Sequence, residues 1–271
     1  MRTTLSRLLI VASAAACSTN LTPQPEPVPV LPSCVPNRDG RITADELPIA
    51  YGFTVAYYAA TNRSVNLTPK NGVYDLSVEA PDDTVVALGP VQLAAQWYAD
   101  QFPTGQFVVD GGAGLDGIYH QDERALWLDG TASQQEAPSA GKTLIRYADP
   151  IALLRFPLTD GLVYSTSAAL ASATIAGLPF VGTDKVDVNV TAGARLDVPY
   201  VEFSPVLRVR TKVTRTPSTG TPVISKRTTL FMFECFGEVA RAESKPDEVA
   251  EDFTTAAYFR RFALGQKVST P

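Results

Sequence analysis

The residues whose types and spacing best suit chemistry lie early in the chain, in Asn37-Arg38-Asp39-Gly40-Arg41-Ile42-Thr43-Ala44-Asp45-Glu46. Asn37, Asp39 and Glu46 carry side-chain oxygens, Arg41 offers a backbone carbonyl, and Thr43 offers a hydroxyl. Hard oxygens strung along a chain that turns sharply at a glycine are what a calcium ion needs. The same residues also support a plainer reading. Asn37 to Gly40 then form a turn, and Thr43-x-x-Glu46 is a capping box that starts a short helix through Leu47.

Other chemistry is poorly supplied. His120 is the only histidine, which argues against a His-rich zinc site and leaves one residue on which to build a Ser-His-Asp triad. No Gly-x-Ser-x-Gly elbow is present. The Gly111 to Gly117 loop has neither a phosphate-binding lysine nor a following helix pattern. Asp82-Asp83 and Glu251-Asp252 are neighbours in sequence, which implies nothing about a cleft.

The Asn37–Glu46 stretch resembles an EF-hand or dockerin-type calcium loop. With Gly40 at the sixth position, Asn37 falls at the third, Asp39 at the fifth and Arg41 at the seventh, where a carbonyl is used. Ile42 fills the hydrophobic eighth position and Glu46 the bidentate twelfth. Val35 stands where that pattern begins with aspartate, so the resemblance implies at most weak calcium binding by Asn37, Asp39, Arg41, Thr43 and Glu46.

Three cysteines, Cys17, Cys34 and Cys235, organise the chain around them. Arg2 and Arg7 are followed by the apolar Leu8 to Val11 and by Ala14-Ala15-Ala16, the layout of an export signal over residues 1–16. The apolar run is too short to span a bilayer. Ending on Cys17, the stretch resembles the lipobox of bacterial lipoproteins, which implies lipidation of Cys17 after cleavage. Ala14 occupies the place where that pattern usually has leucine. Cys34 and Cys235 then remain as an even pair in an oxidising compartment and are expected to form a disulfide.

Cleavage would remove two arginines and no acid, taking the formal charge from −5 to −7. Such a mildly acidic surface gives no electrostatic case for nucleic acid. Residues 17–33 read as the lipidated cysteine and a spacer. Pro23, Pro25, Pro27, Pro29 and Pro32 favour extended polyproline II, reaching roughly 40–50 Å at about 3.1 Å per residue. Ser18, after Cys17, is not the aspartate that resembles an inner-membrane retention signal, so the outer membrane is the expected location.

Residues 34–271 are expected to form one mainly β domain, an antiparallel sandwich or curved sheet with few short helices. Thr54 to Ala59, Gly72 to Val78, Thr84 to Leu88, Arg124 to Asp129, Thr143 to Tyr147 and Ile151 to Leu158 are β-prone runs between turn residues. Val91 to Phe102 fits a helix or a strand, with a lean to strand. Val186, Val188 and Val190 alternate with Asp187, Asn189 and Thr191, as in a half-buried strand. Leu207, Val209 and Val213 alternate in the same way with Arg208, Arg210 and Lys212. Val223 to Arg241 reads as one long strand, apolar on both faces at Leu230 to Phe233, with Cys235 on a core face. Asp252 to Leu264 is read as a strand. Arg208, Arg210, Lys212, Arg215, Lys226 and Arg227 suggest a solvated basic face, or a surface for an anionic partner.

The lipobox, the spacer, Cys34-x-Pro-Asn-x-Asp-Gly and the Phe233–Ala240 segment together resemble uncharacterised lipoproteins of myxobacterial type. The resemblance implies an envelope location and β architecture. The functional expectation is a non-enzymatic envelope lipoprotein whose tethered domain serves structurally or binds a protein, polysaccharide or other partner. An alternative is a carrier of lipid or another hydrophobic ligand, with Trp97, Trp127, Phe156, Phe231 and Phe233 lining a cavity. A further alternative is a hydrolase with an unrecognised site.

Overall fold

A computed structural model describes residues 33–218 and 224–266. The expected signal peptide, the expected lipidation site Cys17 and the expected spacer up to residue 32 lie outside the described residues. Alternating and fully apolar runs build fifteen strands among those described. They are β1 (Val55–Ser64), β2 (Val73–Asp75), β3 (Thr84–Leu88), β4 (Val91–Gln92), β5 (Phe107–Gly112), β6 (Leu115–Gln121), β7 (Ala125–Ser133) and β8 (Leu144–Arg155). They continue with β9 (Val163–Ile175), β10 (Leu178–Phe180), β11 (Gly182–Val198), β12 (Val201–Pro217), β13 (Ile224–Phe233), β14 (Gly237–Glu243) and β15 (Thr255–Phe262).

The strands join one sheet in the order β3-β1-β15-β14-β13-β12-β11-β9-β8-β7-β6-β5-β4, with β10 on β9 and β2 on β11. Strand β2 runs parallel to β11, and the other pairings are antiparallel. The expected mainly β, curved antiparallel domain is the architecture found. Strand β9 joins its two limbs: Val163–Ala169 pair with β11, and Leu170–Thr174 with β8. One core cluster draws on both limbs, with Ile145, Ile151 and Leu154 of β8 packed with Val186, Val188, Val190, Val209 and Met232. A second holds Phe203, Phe231, Phe233, Val239, Phe253 and Phe259. Strand β13 serves both, because Leu230 and Met232 enter the first cluster while Phe231 and Phe233 enter the second. Successive strand side chains point to opposite faces, so a strand apolar at every position must be covered on both.

Several sequence boundaries need correction. The expected Val223–Arg241 strand is two strands, β13 and β14, separated by a tight turn. Cys235 and Gly237 take positive φ of 66° and 69° there, and the Phe236 N–H donates to the Phe233 carbonyl at 3.2 Å. Cys235 therefore sits half-buried in a turn rather than on a core face. Val91 to Phe102 is also not a strand. After β4 it forms two 3₁₀ turns, Leu93–Ala95 and Ala99–Gln101. Its buried residues are Leu93, Tyr98 and Phe102, whose mixed parity no single strand face can bury. The runs from Thr143 and from Ile151 merge into β8, and Asp252 to Leu264 supplies β15.

Residues 34–47 form a strap across the two limbs. Cys34 is disulfide-bonded to Cys235, as expected, with a Cα–Cα distance of 5.5 Å. The Arg38 N–H donates to buried Glu234 at 2.6 Å, and the Cys235 N–H donates to the Glu46 carbonyl at 2.8 Å. Ile42 exchanges two backbone hydrogen bonds with Leu158 and is buried in the first core. On the other limb, Gln121 of β6 donates its side-chain N–H groups to the carbonyls of Ala44 and Leu47.

Candidate functional site

The loop residues proposed as calcium ligands do come together, but their polar atoms face one another. The Glu46 carboxylate accepts from Asn37 Nδ2 at 2.9 Å on Oε1. On Oε2 it accepts from the Thr43 N–H at 2.9 Å and the Thr43 hydroxyl at 3.0 Å. Asn37 Oδ1 accepts from the Asp39 N–H, and Asp39 Oδ1 from the Arg41 N–H. This is the expected turn with half of a capping box: Glu46 returns to the Thr43 N–H, but its own N–H donates to the Thr43 carbonyl in a backbone turn, and no helix follows. Among the described residues no group of three or more His, Cys, Asp and Glu side chains is placed to hold a metal. Glu46→Ala removes the acceptor shared by Asn37 and Thr43 and should cost the strap about 1 kcal/mol in urea unfolding, whereas Asp45→Ala should cost little.

His120 is better organised than its sequence context suggests. Its Nδ1 lies 2.7 Å from Asp129 Oδ2, and the Thr104 hydroxyl donates to Asp129 Oδ1 at 2.6 Å. Its ring stacks on Trp127 at 5.9 Å. An acid that orients an imidazole is two-thirds of a triad. No hydroxyl or thiol is hydrogen-bonded to the other ring nitrogen among the described residues, so a nucleophile is missing from the arrangement. Sequence reading missed the pair because Asp129 and Thr104 lie on other elements.

The basic residues of β12 and β13 are not a free solvated face. Arg208 is only 5% exposed and pairs with Asp252. Arg210 reaches Glu251 at 2.8 Å and Asn189 Oδ1 at 2.7 Å. Arg215 makes a two-pronged contact with fully buried Asp184 at 2.8 and 2.7 Å, and Lys226 pairs with Glu243. Arg227 donates to the carbonyls of Glu248 and Val249 at 2.9 and 3.1 Å. The segment between β14 and β15 thus folds over one end of this face, a long-range contact that strand alternation cannot anticipate.

Beside that segment lies a polar groove of about 330 Å³. Its floor is two cross-strand rows over β9, β11, β12 and β13. One row is Ser165–Asp187–Lys212–Arg227 and the other is Val163–Asn189–Arg210–Thr229. The valines of β11 fill the core on the opposite face, so the alternation recognised in sequence turns Asp187 and Asn189 toward the groove. Burial alone would raise the Asp187 pKa. Hydrogen bonds from Lys185 and Ser165, with the charges of Lys185 and Lys212, outweigh it and hold the carboxyl below its usual range.

The chain matches no protein-family model, no curated protein and no solved structure.

The five aromatics considered for an apolar cavity do not converge. Trp97 packs on the small cluster around Tyr98 and Phe102, Trp127 stacks on His120, and Phe156 borders the first core. Phe231 and Phe233 are buried in the second core.

Proposed function

We propose that the chain is a cell-envelope lipoprotein, anchored through Cys17 and held off the outer membrane by its Pro-rich spacer. Its β domain acts without catalysis, binding a partner in the polar groove on β9, β11, β12 and β13. The observation that carries this reading is the groove itself, a concavity in the size range of ligand sites, floored by ordered polar side chains. The divided aromatics favour it over a carrier of hydrophobic molecules, and the missing nucleophile at His120 favours it over a hydrolase.

Two variants test the reading. Cys17→Ser should abolish incorporation of labelled palmitate into the protein, and label kept by the variant would refute an anchor at Cys17. The Cys17→Ser protein should co-sediment with isolated envelopes. Adding Ser165→Trp, at an exposed groove position, should lower that sedimented fraction several-fold. Unchanged sedimentation would rule out the groove.

A further inference from the structure

The groove carries an electrostatic pattern that specifies its occupant. Glu251 neutralises Arg210 at 2.8 Å. Asp187 is engaged by Lys185 at 2.7 Å and by the Ser165 hydroxyl. Lys212 makes no hydrogen bond or ion pair among the described residues, although its charge acts on Asp187. Its direct cross-strand partner on β13 is Arg227, whose guanidinium is held by the carbonyls of Glu248 and Val249 rather than by a carboxylate. Two cations opposite each other in a sheet disfavour folding. An anionic group seated between them would remove that repulsion and gain charge-assisted hydrogen bonds.

The remaining lining limits how much negative charge the groove can accept. Asp187 and Glu251 would repel a polyanion, yet their oxygens accept hydrogen bonds from hydroxyl groups. Ser165 and Asn189 add short polar contacts along the floor.

We infer that the groove binds an acidic saccharide, with one sugar carboxylate between Lys212 and Arg227 and the sugar hydroxyls on Asp187, Asn189 and Glu251. This assignment rests on the groove being the binding site. It adds the chemical class of the ligand.

The test is calorimetric titration of the full chain, purified in detergent, with three probes. They are cellobiouronate (a disaccharide with one carboxylate), its neutral counterpart cellobiose, and inorganic phosphate. Cellobiouronate should saturate and bind about tenfold or more tighter than the other two, because one charge-assisted contact between ligand and groove is worth that much. Lys212→Met should abolish the preference and Lys212→Arg should retain it, with both variants melting no lower than the parent. No saturation with cellobiouronate, equal binding of cellobiose, or an unaltered Lys212→Met titration would each overturn the assignment. Phosphate binding as tightly would do so too, showing a bare anion site. If Ser165→Trp releases the protein from envelopes while cellobiouronate fails to bind, the groove stands and the acidic sugar is the wrong ligand.

Discussion

Replacing Cys34 and Cys235 together by serine should lower the unfolding free energy by several kcal/mol, with about 5 kcal/mol as the chain-entropy limit for a loop this long. The bond joins residues 201 apart in sequence. Cutting it frees the denatured chain far more than it disturbs the native one. The native strap keeps its other attachments, from the Arg38 N–H to Glu234, from the Cys235 N–H to the Glu46 carbonyl, and from Ile42 to Leu158. The variant should therefore fold in the same topology, with a lower denaturant midpoint and a larger slope, since the slope follows the surface exposed by an unfolded chain no longer crosslinked. An unchanged midpoint, or two alkylatable thiols in the parent protein, would contradict a formed disulfide.

Arg261→Ala should destabilise the domain strongly, by less than the roughly 3–5 kcal/mol that a wholly uncompensated buried partner charge costs. Arg261 is 1% exposed on β15 and lies near the rings of Tyr58 and Phe259. It donates to Asp83 Oδ2 at 2.7 Å and to the Val78 carbonyl at 2.8 Å, which pins the segment before β3 onto the sheet. Asp83 keeps Arg63 at 2.8 Å after the change, which places the loss below that of a wholly orphaned ion. Arg261→Met combined with Asp83→Ala should lose less than the sum of the single changes, because neither then leaves a buried charge unpaired.

The pair also sets an acid response. Burial would raise the Asp83 pKa, but the Ala80 N–H and the guanidiniums of Arg261 and Arg63 hold it below the usual carboxylate range. A carboxyl depressed in the folded state contributes its full stability above the unfolded value of about 4 and loses it as pH falls through the folded value. Unfolding free energies of parent and Asp83→Asn protein, measured against pH, should draw together at low pH and separate above it. Parallel curves across the range would show that Asp83 is not depressed.

What the chain order made legible was local and periodic. The alternation of Val186, Val188 and Val190 with polar neighbours marked β11 and, without naming it, the polar side that floors the groove. The apolar run Leu230–Phe233 marked a strand covered on both faces. The even cysteine pair marked the bond that closes the strap, and Thr43-x-x-Glu46 marked the Glu46 half of its capping box. Each signal lies within a few residues or in a parity count, because backbone geometry alone fixes which neighbours share a face.

Contacts between distant segments were not legible in the same way. Arg208 looked solvated until Asp252 and the loop after β14 covered it. His120 gained an orienting acid from β7 and a hydroxyl from the loop before β5. Asp184 was paired with Arg215 and Tyr147 by the β11–β12 and β8 positions. Closure of the curved sheet brings Tyr147 of β8 to Asp184 of β11, and the segment after β14 reaches Arg208, while the registers of the β6–β7 and β11–β12 hairpins bring Asp129 to His120 and Arg215 to Asp184. Burial and charge pairing depend on that closure and register, whereas a residue's type and parity set only which face it presents.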